Sequence, residues 1–303
     1  MSKHASPARP GPGSGLILAL IIALTTFAFA PILVRVSGEV DAIALSTVRT
    51  VSAMIMLAPF WFFYRDKQAI STYSHTDNLY AALAGLFLGL HFILWIASLS
   101  YTSVASASVL VTFHPVILIL FEAGVYKRRF SLLTWFGVFT AFSGSVLLGF
   151  TDTSGASSGY ANPLLGNSMA LSAAFMFAGY FLISQRLRQK SDWLNYVFRV
   201  YGFTALASIA ISLIVGVSFE MGKEAWLVGL ALAIGPQIIG HGTMNYALRS
   251  ISPTFLSTLI LAEPVGASLL ALILFAEIPP PLSLLALLII LIGIILTWKR
   301  KQS

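Results

Sequence analysis

The feature that most constrains this chain is a series of ten long apolar segments separated by short polar connections. A helix that crosses a bilayer needs about 20 predominantly apolar residues and satisfies its own backbone hydrogen bonds. The segments are close to that length and cover residues 16–36, 42–63, 79–98, 103–124, 132–150, 163–185, 194–216, 225–247, 253–275 and 282–298. The sequence therefore predicts an all-α membrane protein with ten transmembrane helices.

The charge content of the chain favours the same class. Only 10% of the 303 residues are charged, whereas soluble domains have about 25%. The net charge of +7 could indicate nucleic acid, but the basic residues stand in short clusters between apolar segments. Such clusters are typical of topology signals. We expect the lipid bilayer and a small-molecule substrate as partners, and no nucleic acid. Because the chain has no cysteine, disulfides, Cys-ligated metals and thiol nucleophiles are excluded.

The positions of the basic residues predict the orientation of the chain. If the N-terminus is cytoplasmic, every Lys and Arg falls on a cytoplasmic segment except Arg35, Arg49, Arg199 and Lys223. Cytoplasmic loops of membrane proteins carry an excess of Lys and Arg. We therefore expect a multi-pass protein of the plasma (inner) membrane with both termini in the cytoplasm.

The first apolar segment has an alternative interpretation as a cleaved signal peptide. It follows "KHASPAR" and ends with "AFA" (28–30), which resembles a cleavage site. Its apolar part, however, is longer than the 7–15 residues usual in signal peptides. The next residue, Pro31, is also a poor neighbour for cleavage. A transmembrane helix is the preferred interpretation.

The chain repeats itself at an offset of 149 residues. "LSYTSVASASVLVTFHPVILIL" (99–120) then aligns without a gap with "LRSISPTFLSTLILAEPVGASL" (248–269), and Pro115 falls on Pro264. The repeat unit holds five segments, an odd number, so the second copy must enter the membrane in the opposite direction. Inverted repeats of this kind are typical of secondary transporters.

The repeat divides the chain into five parts. The residues before the first segment are rich in Pro, Gly and Ser, a composition typical of disorder. We predict a disordered cytoplasmic tail, a first repeat, an external linker, a second repeat and a short cytoplasmic tail, at residues 1–15, 16–150, 151–160, 161–298 and 299–303.

The repeated stretches resemble the drug/metabolite transporter superfamily, and within it the EamA-type transporters with ten helices. The resemblance is carried by "WIASLSYTSVASASVLVTFHPV" (95–116) and "IGHGTMNYALRSISPTFLSTLILAEPVGASLLALILFAEIP" (239–279). It implies an exporter of amino acids, other metabolites or drugs. The first half departs from the family pattern at "YKRR" (126–129), where an acidic residue is common, and so lacks a counterpart of Glu277.

Glu263 lies deep inside the ninth segment and is a candidate site residue. A charge at the bilayer centre costs about 2.5–3.5 kcal/mol on insertion scales, so this side chain should face the bundle interior. It could bind a cationic part of a substrate, couple transport to protons, or hold two helices together through a hydrogen bond. His114 occupies the equivalent position in the first half. It could contact substrate, carry a proton or be a buried structural histidine.

Three prolines within the apolar segments are expected to kink helices. Pro115 and Pro264 each remove a backbone donor and clash with the carbonyl four residues earlier, at Val111 and Ile260. Pro31 is expected to act similarly in the first segment. Because broken helices at matching positions point to the binding region of a transporter, we predict a hinge beside a polar cavity. A static bend for packing is the alternative.

Polar side chains recur on one face of two equivalent segments. His91 and Trp95 share a helical face in the third segment, as do Gln237, His241 and Asn245 in the eighth. A polar stripe in lipid must face protein or water. We predict that both stripes line a cavity, and interhelical hydrogen bonding is the alternative.

Two arginines lie within segments at positions that match to within one residue, Arg49 and Arg199. They could gate the cavity or contact an anionic substrate group, or they could extend to an interface. Glu122 lies near the cytoplasmic end of the fourth segment. We expect it to form an interface ion pair with the nearby basic residues Lys127 and Arg128.

The function predicted from the sequence is secondary transport by alternating access. The chain has no HExxH, Walker A, GxSxG or GxGxxG motif, so neither ATP-driven transport nor a familiar enzyme class is indicated. We expect no catalytic residue, no cofactor and no metal, since the membrane histidines lack metal-site spacing. The substrate should bind near the midplane, with Tyr180 contributing from the sixth segment. A membrane-embedded enzyme or a passive channel is the alternative.

Overall fold

A computed structural model of the protein describes residues 14–65, 73–102, 104–152, 162–275 and 281–298. All regular elements in these residues are helical, which confirms the predicted all-α class for the described part of the chain. The α-helices are α1 (Ser14–Val36), α2 (Ala42–Tyr64), α3 (His75–Tyr101), α4 (Val104–Val111), α5 (His114–Gly124), α6 (Leu132–Asp152), α7 (Pro163–Arg188), α8 (Trp193–Val215), α9 (Lys223–Leu232), α10 (Gly242–Ala247), α11 (Pro253–Ile260), α12 (Glu263–Phe275) and α13 (Pro281–Trp298). A π-helical segment, Ala233–His241, connects α9 to α10.

Several predicted features fall outside the described residues. The predicted cytoplasmic tail at 299–303 lies wholly outside them, as does Glu277. The predicted tail at 1–15 and linker at 151–160 lie almost wholly outside them, because only their ends nearest the repeats belong to α1 and α6.

The helices are mostly of membrane-spanning length. Seven helical stretches among the described residues are long and apolar enough to cross a bilayer, namely Ser14–Val36, Ala42–Tyr64, His75–Tyr101, Ser106–Gly124, Pro163–Arg188, Trp193–Val215 and Lys223–Ala247. Two shorter apolar helices cover Leu132–Leu148 and Pro281–Thr297. The ninth predicted segment is divided between α11 and α12.

The fourth and ninth predicted segments are both broken, and at equivalent positions. In the first half α4 ends at Val111 and α5 begins at His114. In the second half α11 ends at Ile260 and α12 begins at Glu263. Both pairs of boundaries differ by the 149-residue offset found in the sequence. The repeat therefore extends to the detail of where the helices are interrupted.

Polar side chains at the helix starts determine where several helices begin. The Asp41 carboxylate accepts hydrogen bonds from the backbone N–H groups of Ile43 and Ala44, at 2.8 and 2.9 Å, and so caps α2. Ser74 and Asp77 form a reciprocal capping box at the start of α3. Such caps satisfy backbone donors that have no partner within the helix.

Small residues allow α6 and α13 to approach closely. A Cβ atom at Gly293 would lie 2.2 Å from the backbone nitrogen of Ala141. On the facing helix, a Cβ atom at Gly137 would lie 2.6 Å from Cγ2 of Thr297. Helix association in lipid depends on such close packing, since the hydrophobic effect does not drive it. The pair α6 and α13 is one of the two most extensive helix contacts, together with α3 and α7.

Candidate functional site

Proline chemistry explains why the two helices break where they do. Pro115 and Pro264 occupy the second positions of α5 and α12. A proline there has no N–H to donate to the preceding turn, and its ring clashes with the carbonyl four residues earlier. Those carbonyls belong to Val111 and Ile260, the last residues of α4 and α11. Pro31, in contrast, lies inside α1, which continues without interruption.

A cavity with a volume of about 60 Å³ lies where the two breaks meet. Thr112 and His114 line it from the first break, and Ile260 and Glu263 line it from the second. The rest of the wall comes from α1, α2, α3, α7 and the π-helical segment. Both halves of the repeat therefore contribute their broken helices to one site.

Arg49 supplies a positive charge to this cavity. The residue is 2% exposed. Its Nε donates a hydrogen bond to Oε1 of Gln237 at 3.2 Å, and its guanidinium carbon lies 3.6 Å from the centroid of the Phe92 ring. Stacking of a guanidinium on an aromatic face stabilises the cation. Neither of the two ion pairs among the described residues involves Arg49. Its charge is thus available to an anionic group in the cavity.

Glu263 and His114, which are equivalent in the repeat, both face the cavity. Within the described ranges, the Glu263 carboxylate has no hydrogen-bond partner. His114 is buried, and its Nδ1 likewise has no partner in the part of the chain that the structure describes. Its ring centroid lies 4.4 Å from that of Phe177. Because buried polar groups in proteins are almost always hydrogen-bonded, the Nδ1 atom of His114 points to a ligand or water in the cavity.

His91 and His241 lie side by side in the cavity wall, with ring centroids 6.3 Å apart. Nδ1 of His91 is 2.9 Å from the carbonyl oxygen of Ala173 and must be the donor, since a carbonyl only accepts. The ring of His241 packs edge-on against Phe27 and Phe92 at 5.0 and 5.1 Å. No group of three or more His, Asp or Glu residues in the described ranges is arranged to hold a metal ion.

Tyr180, Gln237 and Asn245 lie behind the cavity wall in a buried hydrogen-bond network. Nδ2 of Asn245 donates to the Tyr180 hydroxyl at 2.5 Å, and Oδ1 of Asn245 accepts from the Tyr196 hydroxyl at 3.2 Å. The Tyr201 hydroxyl donates to the backbone carbonyl of Gln237 at 2.8 Å. The network connects α7, α8, α10 and the π-helical segment. This network supports the cavity wall. For Gln237 and Asn245 it corresponds to interhelical hydrogen bonding, which the sequence left open as the alternative to lining the cavity.

The π-helical segment separates residues that were predicted to share one face. A π-helix bonds residue i to i+5, so side chains four apart are rotated relative to their positions in an α-helix. Pro236 and His241 line the cavity, whereas Gln237 and Asn245 are among the buried residues behind it. Pro236 lies inside the π-helical segment. Because proline cannot donate a backbone hydrogen bond, it is the sequence signal for this irregularity.

Arg199 lies in an environment different from that of Arg49. Its Nη1 donates to Oδ1 of Asn78 at 2.6 Å, and its guanidinium carbon is 4.3 Å from the centroid of the Tyr73 ring. The residue at the 149-residue offset from Arg49 is Phe198. One residue along an α-helix turns the side chain by about 100°. The near-match of the two arginines in sequence therefore does not place Arg199 among the cavity-lining residues.

Much of the remaining wall is apolar. Phe27 and Ala30 contribute from α1, Phe92 and Trp95 from α3, and Phe177 from α7. Of these only Trp95 was predicted. An apolar side chain in a membrane helix has the same sequence signature whether it faces lipid, another helix or a cavity. The aromatic part of the wall could not be recognised before the helices were assembled.

Cysteine labelling can test which residues face the cavity, because the chain has no native cysteine. Gln237→Cys serves as the matched buried control for His241→Cys. We expect His241→Cys to react with a polar maleimide about tenfold faster, a difference of about 1.4 kcal/mol in activation free energy. Equal rates in the folded proteins would contradict the placement of His241 in the wall and Gln237 behind it.

The comparison with known families agrees with this architecture. Residues 13–150 and 164–299 each match the profile of the EamA-like transporter family. The two matches together cover most of the chain, and the chain belongs to this family. The resemblance identified in the sequence is confirmed, and the protein is a multi-pass membrane protein of a transporter family.

Two individual proteins are similar to this chain. Solute carrier family 35 member G1 of Mus musculus is 27% identical over 191 residues, which are 61% of this chain and 50% of that protein. The chain thus spans about half the length of this relative. A solved crystal structure of another protein superposes with a TM-score of 0.75 over 94% of this chain and 97% of that chain, at 19% identity. This likeness shows a shared fold.

Proposed function

We propose that the protein is a secondary transporter that moves a small amphipathic solute, such as an amino acid or a drug, by alternating access. The observation that carries the proposal is the cavity at the two matched helix breaks, where Arg49 and Glu263 have no charged partner among the described residues. Broken helices at equivalent positions surround the substrate in many secondary transporters. Export is the direction that the family resemblance favours.

The pattern of helix contacts supports ten membrane crossings in two inverted repeats. In the repeat, α1 corresponds to α7, and α3 corresponds to α9, the π-helical segment and α10. α1 packs on the π-helical segment, and α7 packs in the equivalent way on α3. α1 also packs on α12, as α7 packs on α4 and α5. The pairs α2 with α8 and α6 with α13 are unchanged when the halves are exchanged. This exchange symmetry fits a twofold relation, and five crossings in each half would make the second half run in the opposite direction. The basic clusters favour cytoplasmic termini in the plasma (inner) membrane.

The cavity wall favours a substrate that carries both charges and an apolar part. Arg49 would bind a carboxylate, and Glu263 would bind an ammonium group. Charges within a membrane protein are usually paired with one another or placed in a polar cavity, and a zwitterion would pair both. The aromatic side chains of Phe27, Phe92 and Phe177 would contact the apolar part of the solute.

Reconstitution in liposomes tests the proposal. Purified protein should carry one or more labelled amino acids or similar amphipathic solutes, with flux that saturates and that is stimulated by unlabelled solute on the opposite side. A chemically altered product would instead indicate a membrane-embedded enzyme. Flux without saturation or trans-stimulation would indicate a passive channel.

Proton coupling through Glu263 leads to a separate prediction. In this scheme the carboxyl group would hold a proton in one access state and release it in the other. Glu263→Gln cannot titrate and weakens the proposed ammonium site, so we expect the flux that remains to be independent of a pH gradient across the liposome membrane. Glu224→Gln, which alters an exposed carboxylate in α9, should keep the parent dependence. If Glu263→Gln retains that dependence as well, the coupling role is wrong.

A further inference from the structure

Glu122 is a buried carboxylate at a contact between the two halves of the protein. It lies in the last turn of α5, and its side chain is 0% exposed. Its Oε2 accepts a hydrogen bond from the backbone N–H of Thr254 at 3.1 Å and another from the Thr254 hydroxyl. Thr254 belongs to the first turn of α11. Glu122 therefore connects the end of one broken helix to the start of the other.

The other oxygen of Glu122 is also bound. Its Oε1 forms an ion pair with Nη1 of Arg128, which lies in the connection to α6. Nη2 of Arg128 in turn donates to Oε1 of Gln185 in α7, at 3.2 Å. The charge is thus stabilised from two directions, by the guanidinium and by the N-terminus of α11, where the helix dipole favours an anion. A buried carboxylate with these partners is a specific contact rather than a solvated surface charge.

This contact has no counterpart in the repeat. At the offset of 149 residues, Ala271 stands in the position of Glu122, and Ala105 stands in the position of Thr254. An alanine side chain cannot donate or accept a hydrogen bond. The same set of bonds therefore cannot form at the equivalent positions on the opposite side of the membrane.

The contact between Glu122 and Thr254 lies between the cavity and one end of the helix bundle, where it can control access to the cavity. Glu122 is eight residues beyond His114 along α5, about 12 Å towards the basic segment Lys127–Arg129. Alternating access requires the two halves to separate on one side while they stay together on the other. The bonds of Glu122 to Thr254 and Arg128 therefore stabilise the state that is closed on the side of the basic segment.

We propose that Glu122, Thr254 and Arg128 form a latch that closes the cavity on the side of the basic segment, and that this latch opens in each transport cycle. The proposal rests on the proposed function, because a latch has meaning only in a protein with two access states. It assigns Glu122 a positioning role, distinct from that of the substrate-facing Glu263.

Labelling of a single cysteine tests the latch without any substrate. Thr112→Cys introduces a thiol of similar size into the cavity wall of a chain that has no other cysteine. A membrane-impermeant maleimide is applied to membrane vesicles from the side of the basic segment. With Glu122→Ala added, we expect labelling from this side to be about tenfold faster, equivalent to about 1.4 kcal/mol. Glu224→Gln is the matched surface control and should leave the rate unchanged.

A second variant keeps the test decisive if Glu122→Ala does not fold. Thr254→Val removes the hydroxyl donor and preserves the side-chain shape, so labelling should rise in the same direction by a smaller factor. An unchanged rate in a correctly folded Glu122→Ala, or in Thr254→Val if only that variant folds, would overturn the latch. Faster labelling without flux of any solute would show that these bonds close the cavity on this side, but it would remove the transporter proposal and with it the opening of the latch in a transport cycle. Normal flux with unchanged labelling would remove the latch and leave the transporter proposal standing.

Discussion

Flux should fall about 100-fold or more when Arg49 is replaced by glutamine, equivalent to about 2.7 kcal/mol. Arg49 is the cation of the cavity, stacked on Phe92 and bonded to Gln237. Glutamine keeps polar atoms but cannot neutralise a carboxylate. Arg49→Lys should recover only part of the flux, because lysine retains the charge without the planar group that stacks and binds bidentately.

The matched control for this prediction is Arg199→Gln. Both arginines lie within apolar segments, and the sequence alone pairs them. Because Arg199 bonds to Asn78, away from the cavity wall, we expect its replacement to leave at least half of the parent flux. The measurement is initial uptake in liposomes for a solute found in the screen, with a thermal melt to verify folding. Equal losses in the two folded variants would contradict the assignment of Arg49 to the site.

Replacing Gly293 should have the largest effect on stability. A Cβ atom there would lie 2.2 Å from the backbone nitrogen and 2.6 Å from the Cα of Ala141, and backbone atoms cannot rotate away. Overpacking typically costs about 1–3 kcal/mol, and a clash with backbone belongs at the upper end. We expect Gly293→Ala to lower the melting temperature by about 5–10 °C. Gly293→Leu should prevent α6 and α13 from packing and abolish the monodisperse protein in detergent.

Gly202→Ala is the matched control, since it adds the same methyl group to another helical glycine. There the Cβ atom would lie 3.5 Å from the terminal methyl of Met54, an ordinary contact with a flexible side chain. The melting temperature should stay within about 2 °C of the parent, less than the effect of 1 kcal/mol. Thermal melts of the purified proteins in one detergent give the comparison. A Gly293→Ala variant as stable as Gly202→Ala would show that the two helices can separate without cost.

The helices, the repeat and the breaks could be predicted because their causes are local. A run of apolar residues long enough to cross the bilayer has to form a helix in lipid. The lost donor and the ring of Pro115 and Pro264 act on carbonyls only four residues away, and α4 and α11 end at those carbonyls. Length, hydropathy and proline position are all visible in the linear sequence.

The environment of Glu122 shows where local information ends. The sequence predicted an ion pair at the interface, and the ion pair with Arg128 is confirmed. The sequence did not indicate that this carboxylate is fully buried and bonded to Thr254 of the other half. A contact between residues so far apart in the chain depends on how the two halves meet.

What the sequence by itself determined is therefore the set of membrane helices, their repetition and the positions of the two breaks. The tertiary structure decided which side chains share the cavity. It separated Arg49 from Arg199, placed Gln237 and Asn245 behind the wall, and placed His114 and Glu263 in the wall of one cavity. The physical reason is rotation: a shift of one residue, or one π-helical turn, redirects a side chain by a large angle, and only the assembled helices determine what it then faces.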